Sequence, residues 1–413
     1  MVAPNTPPLR AVLSLLAATA ALLTAHGLLN TLVAVRAAHE GFSTTLIGLT
    51  TSAYFIGYMV GARVMPGLLA RIGHVRTFAA CAALATIAVL LLPLLPYAVA
   101  WLLLRGLMGF ALVGLSNVIE TWLAAQAGAA ERSRVLGSYM TVNLLGLAAG
   151  PLLLGFGEPG SPVLFSIAAL LLAATALPVT LTKLAPPPVH EQQKMPMATV
   201  AAAAPTAIAG VFLIGMSLGS FWGLGAVFAE QRGLERGGVG LLMAITVLGG
   251  ALLQWPIGRW SDRGDRRTVM ATVGVVAALA LVGAAFAEDT RLMMALFAVA
   301  GGGLFSVYPL CMAHLFDRVA ADRALSACST LLVANGVGAA LGPVLVGAAM
   351  QMQGAAALPL AMAVCLSLIA TVAAWRRIST GFLGTHAQRF LPLLRTSPAA
   401  LRLLTSAVAK RPR

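Results

Sequence analysis

Charge is what this sequence has least of. Asp, Glu, Lys and Arg make up 10% of 413 residues, against roughly a quarter in soluble domains. That is too few to cover a water-facing surface, which excludes a cytosolic enzyme, a secreted disulfide scaffold and a disordered chain. Cysteine is sparse too. Cys81, Cys311, Cys328 and Cys365 lie in or beside apolar stretches without metal-ligand spacing, so they read as reduced core residues. No nucleotide-binding glycine loop precedes a Lys-Ser/Thr pair, and no metal cluster stands out. An ATP-driven pump and an enzyme are both disfavoured, and no cofactor is implied.

What is abundant is apolar. Hydrophobic residues reach 59% and the mean hydropathy is +0.91. A chain dissolved in lipid must satisfy its backbone internally, so it is helical, at roughly 20 residues per span. Apolar blocks fall near 11–35, 46–64, 75–95, 98–124, 134–155 and 162–182, and again near 203–227, 238–258, 268–287, 291–315, 324–350 and 355–375. The first outruns the roughly 7–15-residue core of a signal peptide and is read as a span. The expected organisation is all-α and polytopic: a six-helix bundle (1–182), a polar central linker (183–202), a second bundle (203–375) and a basic tail (376–413).

A net charge of +14 could suggest nucleic acid, so its placement matters more than its size. With both termini inside, the interior loops and tails hold twenty-two Lys and Arg, from Arg10 to the eight in the tail. The exterior holds four: Arg36, Arg232, Arg236 and Arg291. One, Arg105, lies within a span. The asymmetry orients both termini to the cytoplasmic side of the membrane and argues against a nucleic-acid partner. The tail, Leu-rich pieces between Arg389, Arg395, Arg402, Lys410 and Arg411, reads as a membrane-surface segment or as plain disorder.

The two halves repeat each other. Asn143, Gly146, Gly150-Pro151 and Gly155 return as Asn335, Gly338, Gly342-Pro343 and Gly347, an offset of 192. The same offset carries Gly41 onto Gly233, Gly48 onto Gly240, Gly109 onto Gly301 and Arg71 onto Arg263. Four blocks at one offset indicate parallel six-span repeats, two pseudo-symmetric bundles of twelve transmembrane helices in all.

Three motifs then stand out. Gly258, Arg259, Asp262, Arg263, Arg266 and Arg267 form a stretch that resembles the G-x-x-x-D-R-x-G-R-R loop of the major facilitator superfamily, with Asp265 where glycine is usual. Its first-half counterpart, Pro66 to Val75, has Ala70 in place of the aspartate. Gly137, Gly146, Gly150 and Pro151 resemble the motif of proton-driven antiporters in that superfamily. Leu252-Leu-Gln254-Trp255-Pro256-Ile-Gly258-Arg259, with Tyr308-Pro309, is similar to the YcaD-like bacterial branch. A loop aspartate can accept from free N–H groups at a helix N-terminus, so Asp262 is expected to latch onto the start of the fifth span near Ser133 and Arg134. Ala70 would leave the gate lopsided. The glycines allow close helix approach, and Pro151 and Pro343 bend their helices.

Ionisable residues inside a span are expensive and usually functional. Arg105 and Glu120 share the fourth span, about 60° apart on the wheel and ~22 Å along it, so they do not pair directly. Arg105, with Gly109, resembles the superfamily's R-x-x-x-G, linked to proton transfer. An arginine cannot release a proton, so it would tune an acid or attract an anion. Glu120 is the candidate protonation switch, the alternative being a carboxylate bonded to a neighbouring helix or loop. His314, two residues from Glu120's repeat mate Met312, is expected to meet it across a central cavity. His26 is the other titratable candidate. Asn30, Tyr54, Asn117, Asn143, Ser217, Trp222, Tyr308 and Asn335 are candidates for lining that cavity.

The resulting expectation is a monomeric, proton-coupled transporter of a small organic molecule, working by alternating access among membrane lipids and exporting its substrate by antiport. Uptake by symport or uniport, and a non-transporting sensor on the same fold, are the alternatives.

Overall fold

The computed structural model describes residues 9–126, 132–181, 195–320, 323–381 and 390. Among them, twelve helices are long and apolar enough to cross a membrane, one in each expected block. They are α1 (Leu9–His39), α2 (Thr44–Ile72), α3 (His74–Leu91), α4 (Ala98–Gln126), α5 (Arg132–Leu152), α6 (Val163–Ala174), α7 (Pro205–Gln231), α8 (Arg236–Ser261), α9 (Arg266–Phe286), α10 (Thr290–Phe316), α11 (Ala324–Gln353) and α12 (Ala357–Thr380). A 3-10 turn, Leu153–Phe156, extends α5 past Pro151, and α6 resumes after Thr175 as Ala176–Leu181. The stretch expected as a plain linker contains a short helix, Met197–Ala203. Its residues 183–194, and the tail beyond 381 apart from Phe390, lie outside the described residues.

Local chemistry starts and stops the helices. Ser43 accepts from the Leu46 amide at the head of α2. Asp265 and Asp289 do the same for α9 and α10, where side-chain oxygens satisfy orphan N–H groups. The turns after α1 and α7 each need a left-handed residue: Gly41 has φ +78° and Gly233 φ +80°. Any L side chain there would cost roughly 1–2 kcal/mol.

The 192-residue repeat is a structural one. Gly48 of α2 lies against the backbone of Pro343 in α11, and its mate Gly240 of α8 lies against Pro151 in α5. One contact, used twice, joins the halves. Within each half the pattern holds as well: Gly109 meets the Tyr54 carbonyl as Gly301 meets that of Thr246, and Gly150 meets α1 as Gly342 meets α7. In lipid, helices gain little from hydrophobicity, so such backbone approach supplies the van der Waals contact that holds them. The molecule is an all-α polytopic membrane protein of two pseudo-symmetric six-helix bundles.

Twelve crossings return the chain to the side where it began, so Leu9 and Thr380 share one end, here the terminal end. At the opposite end the bundles are bonded together. Thr44 Oγ1 donates to the Gly347 carbonyl (2.7 Å), Thr45 Oγ1 to Gln351 Oε1 (2.6 Å), and Ser52 Oγ to the Ala340 carbonyl. His39 lies 3.3 Å from Glu230, and Arg236 3.1 Å from Glu158. Along α2 toward the terminal end that packing fades: Phe55 is buried, Met59 half-buried against Gly336, and Arg63 exposed.

Candidate functional site: a chamber between the bundles

A cavity of about 130 Å³ lies between the halves. The first bundle contributes His26, Asn30, Tyr54, Tyr58, Ser116, Glu120, Tyr139 and Asn143, among others; the second contributes Leu218, Trp222, Phe305 and Tyr308. Three lining pairs are repeat mates at the 192 offset: His26 with Leu218, Asn30 with Trp222, Ser116 with Tyr308. The chamber therefore sits on the pseudo-twofold axis. Its two walls differ in kind. The first, the more polar of the two, holds His26 and Glu120 among tyrosines and apolar side chains such as Leu23 and Phe55; the second is aromatic and apolar apart from the Tyr308 hydroxyl, with Trp222 and Phe305 edge to face at 6.4 Å.

On the polar wall, Tyr139 of α5 donates to Glu120 Oε1 at 2.8 Å, while Asn143 donates from the same helix to the Tyr139 carbonyl. Glu120 is buried, faces the chamber and lies on one α4 face with Leu112 and Ser116, at four-residue spacing. Nearer the packed end, the Arg105 guanidinium lies over the Tyr54 ring, 4.8 Å from its centroid. It also faces Asn30 Oδ1 at 3.5 Å. That turns the Asn30 amide nitrogen toward His26 Nε2, 3.1 Å away. In this arrangement Nε2 accepts from the Asn30 amide, and the His26 ring is stacked on Tyr54 at 5.6 Å. Arg105 is thus set behind Tyr54 and is not among the lining residues.

Not every expected lining residue is there. Asn335 donates to the Val211 carbonyl and packs α11 on α7; Ser217 is buried too, and neither is among the lining residues. Ser217 lies in Gly215-Met-Ser217-Leu-Gly219, the spacing of a hydrolase nucleophile elbow. Here it is mid-helix, with both glycines against α11, so it lacks the strand-to-helix turn that such chemistry needs. Asn117 offers its carbonyl to Thr121 and is not among the lining residues. His314 does not meet Glu120. Its electrostatic neighbours are Arg318, Arg267, Asp317 and Asp265, a cluster at the terminal end. Tyr58, Ser116, Tyr139 and Phe305 line the chamber unanticipated. Helical spacing from Tyr54 and Asn143, and the repeat mate of Tyr308, were the signals that could have found the first three.

The gate motif is built differently from expectation. Arg266 and Arg267 are each 1% exposed, not solvated. Arg266 Nε pairs with Asp317 at 2.7 Å. Arg267 takes Asp265 through both Nε (3.0 Å) and a terminal nitrogen (2.7 Å), and it donates to the Arg376 carbonyl and Thr380. Burial works to raise the Asp265 carboxyl, but Arg267 outweighs it and holds it below the usual carboxylate range. Asp265, the departure from the motif's glycine, thus caps α9 and anchors α12. Asp262 accepts from the Phe390 amide at 2.5 Å, and the Phe390 ring fills the notch at Gly258. Among the described residues, Asp262 is held by this tail amide and Arg134 is exposed; the Ser133 side chain, on which the expected latch onto α5 falls, lies outside the described residues. Arg259 stacks on Trp255 at 4.1 Å, and Arg263 is exposed. In the first bundle the mates of Arg266 and His314 are His74 and Trp122, stacked at 5.8 Å. Aromatic packing there replaces the charge cluster, which is the lopsidedness that Ala70 announces. Of the antiporter-like glycines, Gly146 and Gly150 pack on α1, and Pro151 meets Gly240; at Gly137 an added side chain would find open space.

The Major Facilitator Superfamily model matches residues 14–208 and again 207–412. The chain belongs to the major facilitator superfamily. An "Uncharacterized MFS-type transporter YcaD" of Escherichia fergusonii is 29% identical over 345 residues, 83% of this chain and 89% of that protein. The nucleoside transporter NupG superposes with a TM-score of 0.71 at 18% identity, over 88% of this chain and 98% of that one. A bacterial homolog of the human lysosomal transporter Spinster, inward-facing and occupied, gives 0.72 at 14% identity, over 90% and 96%. The resemblance to the YcaD-like branch of the major facilitator superfamily is thus one of sequence, and the likeness to NupG and Spinster one of fold.

Proposed function

We propose that this major facilitator protein is a proton-coupled exporter of a small organic molecule, working by alternating access. The observation that carries the reading is the chamber itself: it lies on the axis relating the two bundles, is bonded shut at one end, and holds a buried carboxylate, Glu120. A group of that kind in low dielectric can exchange a proton with a bound guest. The Tyr139 hydroxyl steadies the carboxylate. The Arg105–Asn30–His26 chain offers a second proton-sensitive element, because a proton on His26 Nε2 would break the bond from Asn30. Export is favoured by Gly146, Gly150 and Pro151, which seat α5 on α1 and α8 in the manner of the antiporter motif. The Lys and Arg asymmetry supports a bacterial inner membrane with both termini in the cytoplasm, so the packed end faces outward. The test is substrate-driven proton movement in proteoliposomes loaded with a pH dye, screened over a panel of small organic compounds. Outward exchange of substrate for protons, lost in Glu120→Gln, is the expected result. Co-directional flux under the same gradient would turn the reading into symport, and undiminished coupling in Glu120→Gln would remove Glu120 from it.

A further inference from the structure

The two walls of the chamber constrain its guest more tightly than the fold does. Among the lining residues the acidic side chain is Glu120, and the opposite wall presents Trp222, Phe305 and Tyr308. Arg105 could bias the site toward anions, but its guanidinium is engaged with Tyr54 and Asn30. Along α4 it stands ~22 Å from Glu120, fifteen residues at 1.5 Å each. Coulomb energy falls as the inverse of distance, so a cation touching Glu120 gains far more than it loses to Arg105. An anion there would meet the carboxylate first. His26 is engaged with the Asn30 amide. The aromatic wall suits a flat apolar body, and its ring faces also attract cations.

We propose that the chamber takes a small aralkyl-ammonium guest, with the ammonium at Glu120 and the ring against Trp222, Phe305 and Tyr308. This deepens the transport reading above and rests on it for the guest's passage. Binding itself requires only the chamber. The repeat sets unlike residues at equivalent positions of the two walls: Leu218 is the mate of His26, and Trp222 that of Asn30. A guest charged at one end and apolar at the other matches that division, whereas a uniformly polar solute leaves the aromatic wall unused and a plain hydrocarbon gains nothing from Glu120.

The test is calorimetric titration of the purified full-length protein with three near-isosteres: 3-phenylpropylammonium, 3-phenylpropanol and 3-phenylpropanoate. The ammonium is expected to bind about tenfold more tightly than the alcohol, some 1.4 kcal/mol, with the carboxylate weakest. In Glu120→Gln that preference is expected to vanish. In Trp222→Ala, ammonium and alcohol are expected to weaken together while their ratio persists, which shows that the ratio reports Glu120 and not general packing. Thermal unfolding checks that each variant is folded; should Glu120→Gln fail to fold, the three wild-type affinities and the Trp222→Ala ratio still decide. Alcohol or carboxylate binding as tightly as the ammonium would overturn the proposal. So would a preference surviving in Glu120→Gln, or no binding of any probe at about millimolar concentration. Cation-selective binding without proton movement in liposomes would sink the transport reading and leave this site standing. Proton movement driven only by neutral or anionic compounds would do the reverse.

Discussion

Arg105 shows how a buried charge is kept without an acid beside it. The guanidinium is 2% exposed; its compensation is the face of Tyr54 and the carbonyl of Asn30. Lysine cannot reproduce that flat, forked contact. Arg105→Lys is expected to lower stability by about 1–2 kcal/mol, the worth of a desolvated cation–π contact, read as a fall in melting temperature in detergent. At the terminal end Asp265 makes a different prediction. Arg267 holds its carboxyl below the ordinary range, so the folded state favours the charged form. The contribution is complete at neutral pH, where folded and unfolded chains are both ionised, and it is lost as pH falls through the depressed folded value. Asp265→Asn leaves the buried Arg267 without its anion, which costs about 3–5 kcal/mol. The wild type should lose its advantage over this variant only in acid, as unfolding across a pH series would record. Glu120 and Arg105 could be picked out of the sequence because charges within spans are rare. Spacing from Asn143 could place Tyr139 on the chamber face, but not its bond to Glu120, because nothing in a sequence says which neighbouring hydroxyl a carboxylate will take.

At the level of helices, the contacts that close one end are the most exposed to test. A side chain at Gly240 would collide with the backbone of Pro151, whereas Gly67 has nothing within 4 Å. Gly240→Val is expected to pry α8 from α5 and open the chamber at the packed end. A cysteine introduced at Ser116 should then react severalfold faster with a membrane-impermeant maleimide applied from that side, and Gly67→Val should leave the rate unchanged. Equal rates in all three would show that these helices do not gate the chamber. Span number and repeat offset were legible beforehand, because lipid demands apolar blocks and the repeat demands matched glycines. The turn at Gly41 and its mate at Gly233 follow the same logic. The gate was not legible. Asp262 carries a motif that implies a partner on α5; its bond from the Phe390 amide joins residues 128 positions apart, which no local pattern encodes. His314 was misassigned for a related reason: two residues along a helix turn a side chain by roughly 200°, away from the chamber and toward Arg267 and Asp317.

For the molecule as a whole, orientation and motion are the open physical questions, and they have separate readouts. The Lys and Arg distribution expects cysteines at Arg76 and Ile378 to be labelled from the cytoplasm, and one at Gln353 from outside. Labelling of Arg76 and Ile378 from opposite faces would break the topology. Motion bears most directly on the central claim, that two like bundles rock about a chamber on their common axis. Its sharpest test is pulsed electron spin resonance on two labelled pairs, Val163 with Gln353 at the packed end and Arg76 with Ile378 at the terminal end. The result expected is two distances at each end whose populations shift in opposite senses, the packed end opening as the terminal end closes, with the balance changed by pH in the wild type but not in Glu120→Gln. A single, unchanging distance at both ends from acid to alkaline buffer would contradict it.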